Sequence, residues 1–226
     1  VASDNTTPLP YWIEEWQTGG ISRIWLKVDH IPAGTNTCAF LYYGNPEAAS
    51  RSAGEAVFEF FDDFSGATIN TSKWQATATT LSLSNGVVTT EGGSVNLEAR
   101  NVENGGPIPL LSTYRVRMKL IGYSAGSRWG CMYYDQQIYT PDQTEWYEGG
   151  SASWTSLLGT GPIAGQASLP VTAWHTFEIS YAGGTGKSYC NNGLCGTITN
   201  AGKSMSQLTL YSCRRTAYDY VFVARF

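Results

Sequence analysis

Between Tyr114 and Leu120 the side chains alternate: Tyr114, Val116, Met118 and Leu120 are interleaved with Arg115, Arg117 and Lys119. A period of two belongs to a β-strand with one face in a core and the other toward solvent, and a helix cannot satisfy it. The alternation recurs. Ile24, Leu26 and Val28 flank Trp25 and Lys27; Phe177, Ile179 and Tyr181 flank Glu178 and Ser180; Tyr218, Tyr220 and Phe222 flank Asp219 and Val221. Leu81-Ser82-Leu83-Ser84 runs into Asn85-Gly86, a strong two-residue hairpin signal. No long amphipathic helix and no internal repeat is visible. Many short strands separated by Gly, Asn and Pro turns predict an all-β antiparallel sandwich.

The chain has 226 residues, of which 42% are hydrophobic, enough for a sizeable core. Only 14% are charged, against roughly 25% in an average soluble domain. The surface must then be covered by Ser, Thr, Asn, Gln and Gly, which suits an extracellular or cell-surface protein. The net charge of −4 comes without any basic run. Nucleic-acid binding loses its main electrostatic term, and no such partner is expected. No stretch approaches the ~18 apolar residues of a membrane span, so no membrane insertion is expected. The start at Val1, with no initiator Met and no signal-peptide pattern, reads as a processed chain or a fragment.

Two regions are predicted. Residues 1–55 form a partial β domain of three strands: Tyr11 to Gln17, Ile24 to Val28, and Cys38 to Tyr43, the last stopped by Gly44-Asn45-Pro46. The small, polar stretch 47–55 reads as a linker or short helix. Residues 56–226 carry the remaining strands and form the sandwich.

Five cysteines are present. In Cys190-Asn191-Asn192-Gly193-Leu194-Cys195, a turn at Asn192-Gly193 would set Cys190 opposite Cys195 at a non-hydrogen-bonded site. Cα atoms there are about 4.5 Å apart, within disulfide range. That bridge is predicted, and it implies an oxidising compartment. Cys131 with Cys213 is the second predicted bridge, leaving Cys38 over. The sequons Asn5-Thr6-Thr7 and Asn70-Thr71-Ser72 mark Asn5 and Asn70 as glycosylation sites of a secreted surface.

Two resemblances emerge from particular residues. Tyr11-Trp12-Ile13-Glu14, Ile24-Trp25-Leu26-Lys27-Val28 and Tyr42-Tyr43-Gly44-Asn45-Pro46 resemble the C-terminal half of an uncharacterised domain of archaeal and bacterial surface proteins. Phe58 to Gly66 with Lys73-Trp74 resembles the opening of concanavalin-A-like sandwiches, including laminarin-type glycoside hydrolases. Tyr114 to Leu120 and Ala217 to Val223 resemble their charged-alternating and closing strands. The resemblance implies a concanavalin-like jelly roll of two antiparallel sheets; three strands are a thin basis for an independent sandwich, so the short N-terminal β segment is expected to pack on it or to be the tail end of a larger domain. It also implies a structural Ca²⁺ tying the opening strand to the closing one, with Asp63, or Asp62 beside it, and Asp219 in the matching positions.

The laminarin-type enzymes carry their carboxylates at alternating positions of one strand, and no such run occurs here. Glu145 and Glu148 are three apart, so on a flat strand they face opposite ways. No catalytic residue is therefore assigned and no enzyme is expected. His30 and His175 are far apart, and His175 falls in phase with Phe177, as a structural histidine would. Sugar rings offer apolar C–H faces to Trp and Tyr and hydroxyls to polar neighbours. Trp129, Trp146, Tyr147 and Trp154 lie in an aromatic stretch with such neighbours and are the predicted ligand-binding residues. The expected function is non-catalytic binding of polysaccharide or glycoprotein glycans, or adhesion. The alternative is a structural subunit of a filament, sheath or virion spike, assembled from copies of itself; a glycoside hydrolase is a third reading.

Overall fold

The computed structural model describes residues 1–2, 4–76, 81–91, 95–99, 113–122, 129–133, 143–148, 152–158, 161–163, 173–199, 208–212 and 215–225. The chain divides into two units, Val1–Phe61 and Asp62–Phe226.

In the first unit β1 (Tyr11–Glu15) and β2 (Arg23–Leu26) form an antiparallel pair that sets Trp12 against Trp25 and Ile13 against Ile24. Trp12 is buried, with Phe58 and Phe61 edge-on at centroid distances of 5.7 and 5.0 Å. The Trp25 indole donates to Glu14 at 2.7 Å, so a polar handle accompanies the aromatic cluster. The stretch read as a linker or short helix ends in α1 (Gly54–Val57), a single turn. Gly54 is required there: a Cβ would lie 2.3 Å from the Phe61 ring. The third strand expected at Cys38–Tyr43 does not form. This stretch has one ladder-like contact, in which Phe40 exchanges both backbone hydrogen bonds with Val1 (2.8 and 3.0 Å). A strand is made by its neighbour, and two bonds at one residue do not extend into a ladder.

β3 (Phe60–Asp62) carries the chain across the division. The second unit contains β4 (Trp74–Ala76), β5 (Leu81–Ser84), β6 (Val87–Glu91), β7 (Val95–Ala99), β8 (Tyr114–Gly122), β9 (Trp129–Tyr133), β10 (Gln143–Glu148), β11 (Ala152–Leu158), β12 (Gly161–Ile163), β13 (His175–Ala182), β14 (Thr185–Cys190), β15 (Gly193–Thr199), β16 (Thr209–Ser212) and β17 (Arg215–Ala224). One sheet runs β12-β11-β10-β9-β16-β7-β4 and the other β15-β14-β13-β8-β17-β6-β5. The fold is an all-β antiparallel sandwich, as the alternation predicts. Val116, Met118 and Leu120 of β8, Phe177 and Ile179 of β13, Val221 and Val223 of β17, and Leu97 and Leu210 of the facing sheet are almost wholly buried. Each contributes roughly 1.5–3 kcal/mol through burial.

Three hairpins turn on two consecutive residues with positive φ: Asn85-Gly86 (51° and 73°), Gly183-Gly184 (56° and 77°) and Asn191-Asn192 (47° and 69°). That backbone matches the twist of the strands it joins. The first is the expected Asn85-Gly86 turn. The third corrects the sequence reading by one residue. The turn is Asn191-Asn192, so Cys190 stands opposite Gly193 and Tyr189 opposite Leu194. Cys195 is the extra residue of a bulge, diagonal to Cys190, and both thiols are free. In this register the two cysteines are therefore not directly opposed. The preference for Asn191-Asn192 has a tertiary cause. Asn191 exchanges backbone and side-chain hydrogen bonds with Thr176 (2.8 and 3.0 Å), and its amide reaches His175 Nδ1 at 3.0 Å.

The alternation of β8 and β17 holds, with two corrections. Arg117 is not at a solvent face: it is buried, 3.2 Å from the equally buried Glu178, and donates to Asn192 at 2.7 Å. Arg115 meets the same carboxylate at 3.1 Å. In β17 a bulge at Asp219 sets Tyr218 opposite Leu120 and Tyr220 opposite Lys119. Tyr218 therefore shares a face with Val221 and Val223, while Tyr220 and Phe222 occupy the other.

Candidate functional site

β10 and β11 are joined in register, and Trp146 stands directly opposite Trp154. On the other side of β10 a register shift after Thr144 brings Trp146 opposite Trp129 of β9. Cross-strand partners occupy the same face of a sheet, and adjacent strands are about 4.8 Å apart. Three tryptophan positions thus form one row across three neighbouring strands, about 10 Å from end to end. Tyr147 pairs with Ser153, one residue along β10, and so falls on the opposite face from the row. Of the four predicted binding residues, the structure brings Trp129, Trp146 and Trp154 together and sets Tyr147 apart.

The sequence reading assigned these aromatics to no strand. The structure places them in strands. A signal was present: Trp146 and Trp154 are equidistant from Gly150 in Gly149-Gly150-Ser151, hairpin arithmetic that pairs them. The Trp129 partnership had no such signal, because it depends on the register shift. Glu145 pairs with Thr155 and Glu148 with Ala152 on the same strand. Three residues apart along a regular stretch of the β10–β11 ladder, the two positions fall on opposite faces.

The carboxylates assigned to calcium are otherwise engaged. Asp62 is buried and accepts the Phe64 amide at 2.8 Å and the Trp74 indole at 2.6 Å. Asp63 accepts the Ser65 amide at 3.1 Å. Asp219 lies 2.6 Å from the Lys119 ammonium. Among the described residues no group of three or more His, Cys, Asp or Glu side chains is placed to hold a metal ion. Calcium takes about six to eight oxygens, from backbone carbonyls and water as well as carboxylates.

Cys131 pairs in register with Tyr211, and Cys213 lies outside the described residues. Cys38 is exposed and free. Asn5 and Asn70 are both exposed. The Asn5 side chain accepts from the Tyr42 hydroxyl, and the Asn70 side chain accepts the Ser72 amide at 2.9 Å. His175 is buried beside Phe177, as a structural histidine is. Among the described residues no helix is long and apolar enough to cross a membrane.

Residues 1–77 match a family described as a domain of unknown function (DUF2341). No curated protein sequence matches the chain. Among solved structures, the chain is similar to an endo-β-1,3-glucanase from Pyrococcus furiosus, at 14% identity and TM-score 0.57, covering 75% of this chain and 94% of that one. It is similar to a laminarinase from Flavobacterium sp. UMI-01, at 10% identity and TM-score 0.56, covering 74% and 100%. The carbohydrate recognition domain of Emp47p follows at 12% identity and TM-score 0.51, covering 74% and 95%. At these identities the likeness fixes the fold alone, a concanavalin-like jelly roll that serves both glycan hydrolysis and glycan recognition in other proteins.

Proposed function

We propose that the sandwich is a non-catalytic extracellular or cell-surface module that binds polysaccharide or glycoprotein glycans along the row Trp129, Trp146 and Trp154. The row carries the reading. It sets three tryptophan positions at strand spacing on the sheet face that runs through Thr144, Met132 and Leu210 to Leu97, and the reading requires these positions to be open to successive sugar faces of an extended chain. The Glu145 and Glu148 positions speak against a hydrolase, because carboxylates on opposite faces cannot flank one glycosidic bond.

The test is affinity electrophoresis through gels containing soluble β-glucans or mucin-type glycans, backed by a glycan array. Retardation by at least one polymer is expected. Trp146→Ala and Trp154→Ala should each weaken it roughly tenfold or more, as removal of a Trp anchor does. Tyr147→Ala should leave it unchanged. Absence of binding to every glycan, or equal binding by the Trp variants, would sink the reading. Release of reducing sugar from β-glucans would return the protein to the hydrolases.

One observation favours the structural-subunit reading. Phe40, Leu41, Tyr42 and Tyr43 are exposed, and the first unit holds a cavity of about 680 Å³ lined in part by Tyr11, Trp16, Leu26, Phe40 and Tyr43. An apolar edge of this kind accepts a strand from a neighbouring copy. Size exclusion and negative-stain microscopy separate the two readings. Assemblies lost in Tyr42→Lys support the subunit, and a monomer at high concentration rejects it.

A further inference from the structure

The β14–β15 hairpin can close on either of two turns. In the observed register Asn191 and Asn192 occupy the turn, Cys190 faces Gly193, and Cys195 is the extra residue of the bulge. Cys195 Sγ is 3.4 Å from the Gly193 carbonyl oxygen. Sliding the turn by one residue would place Asn192 and Gly193 at its centre. Asn192 already has φ of 69°, and Gly193 enters the left-handed region at no steric cost. Cys190 and Cys195 would then stand directly opposite at a non-hydrogen-bonded site, about 4.5 Å apart at Cα.

We propose that Cys190 and Cys195 are a redox latch: a small-molecule disulfide joins them, and closing the bridge slides the hairpin from the Asn191-Asn192 turn to the Asn192-Gly193 turn. The chemistry is two successive thiol–disulfide exchanges. Cys195, the less buried of the two, loses its proton and attacks the small disulfide, expelling one thiolate. Cys190 then loses its proton and attacks the Cys195 sulfur, expelling the second. The two protons end on the expelled thiolates. The cysteine pair is oxidised by two electrons, and the small disulfide is reduced to two thiols.

The reduced register is held from outside the hairpin. Asn191 is bonded to Thr176 and His175, and Asn192 accepts from Arg117. Sliding the turn carries the Asn191 side chain away from the Thr176 amide and from His175, while the Asn191 N–H rung to Thr176 continues the β13–β14 register. The latch is thereby coupled to the start of β13 and to the buried Arg117.

The experiment uses the full chain in glutathione redox buffers, quenched by alkylation and digested with trypsin. Both cysteines fall in the peptide from Ser188 to Lys203. Under oxidised glutathione this peptide should carry no alkyl group and lack the mass of two hydrogens. The Thr176 amide, now bonded to the Asn191 side chain, should then exchange faster with deuterium. Asn191→Ala should move the equilibrium toward the bridge by roughly tenfold, the weight of a net hydrogen bond or two. A peptide that stays doubly alkylated, or stops at a glutathione adduct, overturns the pairing. A bridged peptide with unchanged Thr176 exchange overturns the slide.

Discussion

The carboxylate of Asp62 accepts the indole N–H of Trp74 at 2.6 Å, and both residues are buried. The same carboxylate accepts the Phe64 amide, where the backbone has φ of 52°. Asp62→Ala should cost about 1–3 kcal/mol, because it leaves a buried indole N–H without its acceptor. Asp62→Asn should cost less, since one acceptor oxygen survives. Urea unfolding followed by tryptophan fluorescence measures both.

The pair formed by Arg117 and Glu178 gives a larger and asymmetric expectation. Glu178→Ala removes the buried carboxylate opposite the Arg117 guanidinium and should cost about 3–5 kcal/mol. Arg115 is only partly buried at its side of the same carboxylate, and Arg115→Ala should cost less than about 1 kcal/mol. Chemical denaturation midpoints at constant slope would show the difference. Equal costs would mean that Arg117 is not desolvated.

Burial, with Cys195 nearby, pushes the Cys190 thiol from 9.0 up to about 12. The neutral thiol is therefore the form the fold keeps. The unfolded chain releases this proton near pH 9 and the folded chain does not, so stability contributed here is complete below pH 9 and is lost as pH rises toward about 12. Burial raises Cys195 in the same direction. Stability should fall across this window in the reduced protein, and Cys190→Ser should flatten the fall, as read from urea titrations at stepped pH in the presence of a reductant.

Gly54→Ala tests the aromatic cluster of the first unit. The new Cβ would be 2.3 Å from the Phe61 ring, a buried side chain. Overpacking of this kind costs about 1–3 kcal/mol. The loss should appear in differential scanning calorimetry. A melting curve unchanged by Gly54→Ala would mean that the ring moves freely.

Alternation and turn residues made the strands of the sandwich legible in the sequence. Val116, Met118 and Leu120 could only face a core, and Asn85-Gly86 could hardly be other than a hairpin turn. Where two answers were locally equivalent, the sequence could not choose. Asn191-Asn192 and Asn192-Gly193 are both acceptable turns, and the decision lies with Thr176 and His175, distant in sequence. The burial of Arg117 depends on Glu178, likewise on another strand. The tryptophan row was legible in part. Its residues stood out, but their common face depends on register, and the step from Trp146 to Trp129 passes through an irregularity that composition does not mark.

A strand is read in a frame of two, and Asp219 shifts that frame. Upstream of it Tyr218 is in step with Leu120, and downstream Val221 and Val223 take over the same side. Replacing Asp219 removes one partly exposed ion pair to Lys119. Deleting it would return β17 to strict alternation and leave Tyr220, Val221, Phe222 and Val223, all of them buried, opposite the same β8 residues as before. The closing strand should therefore accept both substitution and deletion at Asp219 but no deletion at Val221, a contrast that a deep mutational library containing both kinds of change would display two codons apart.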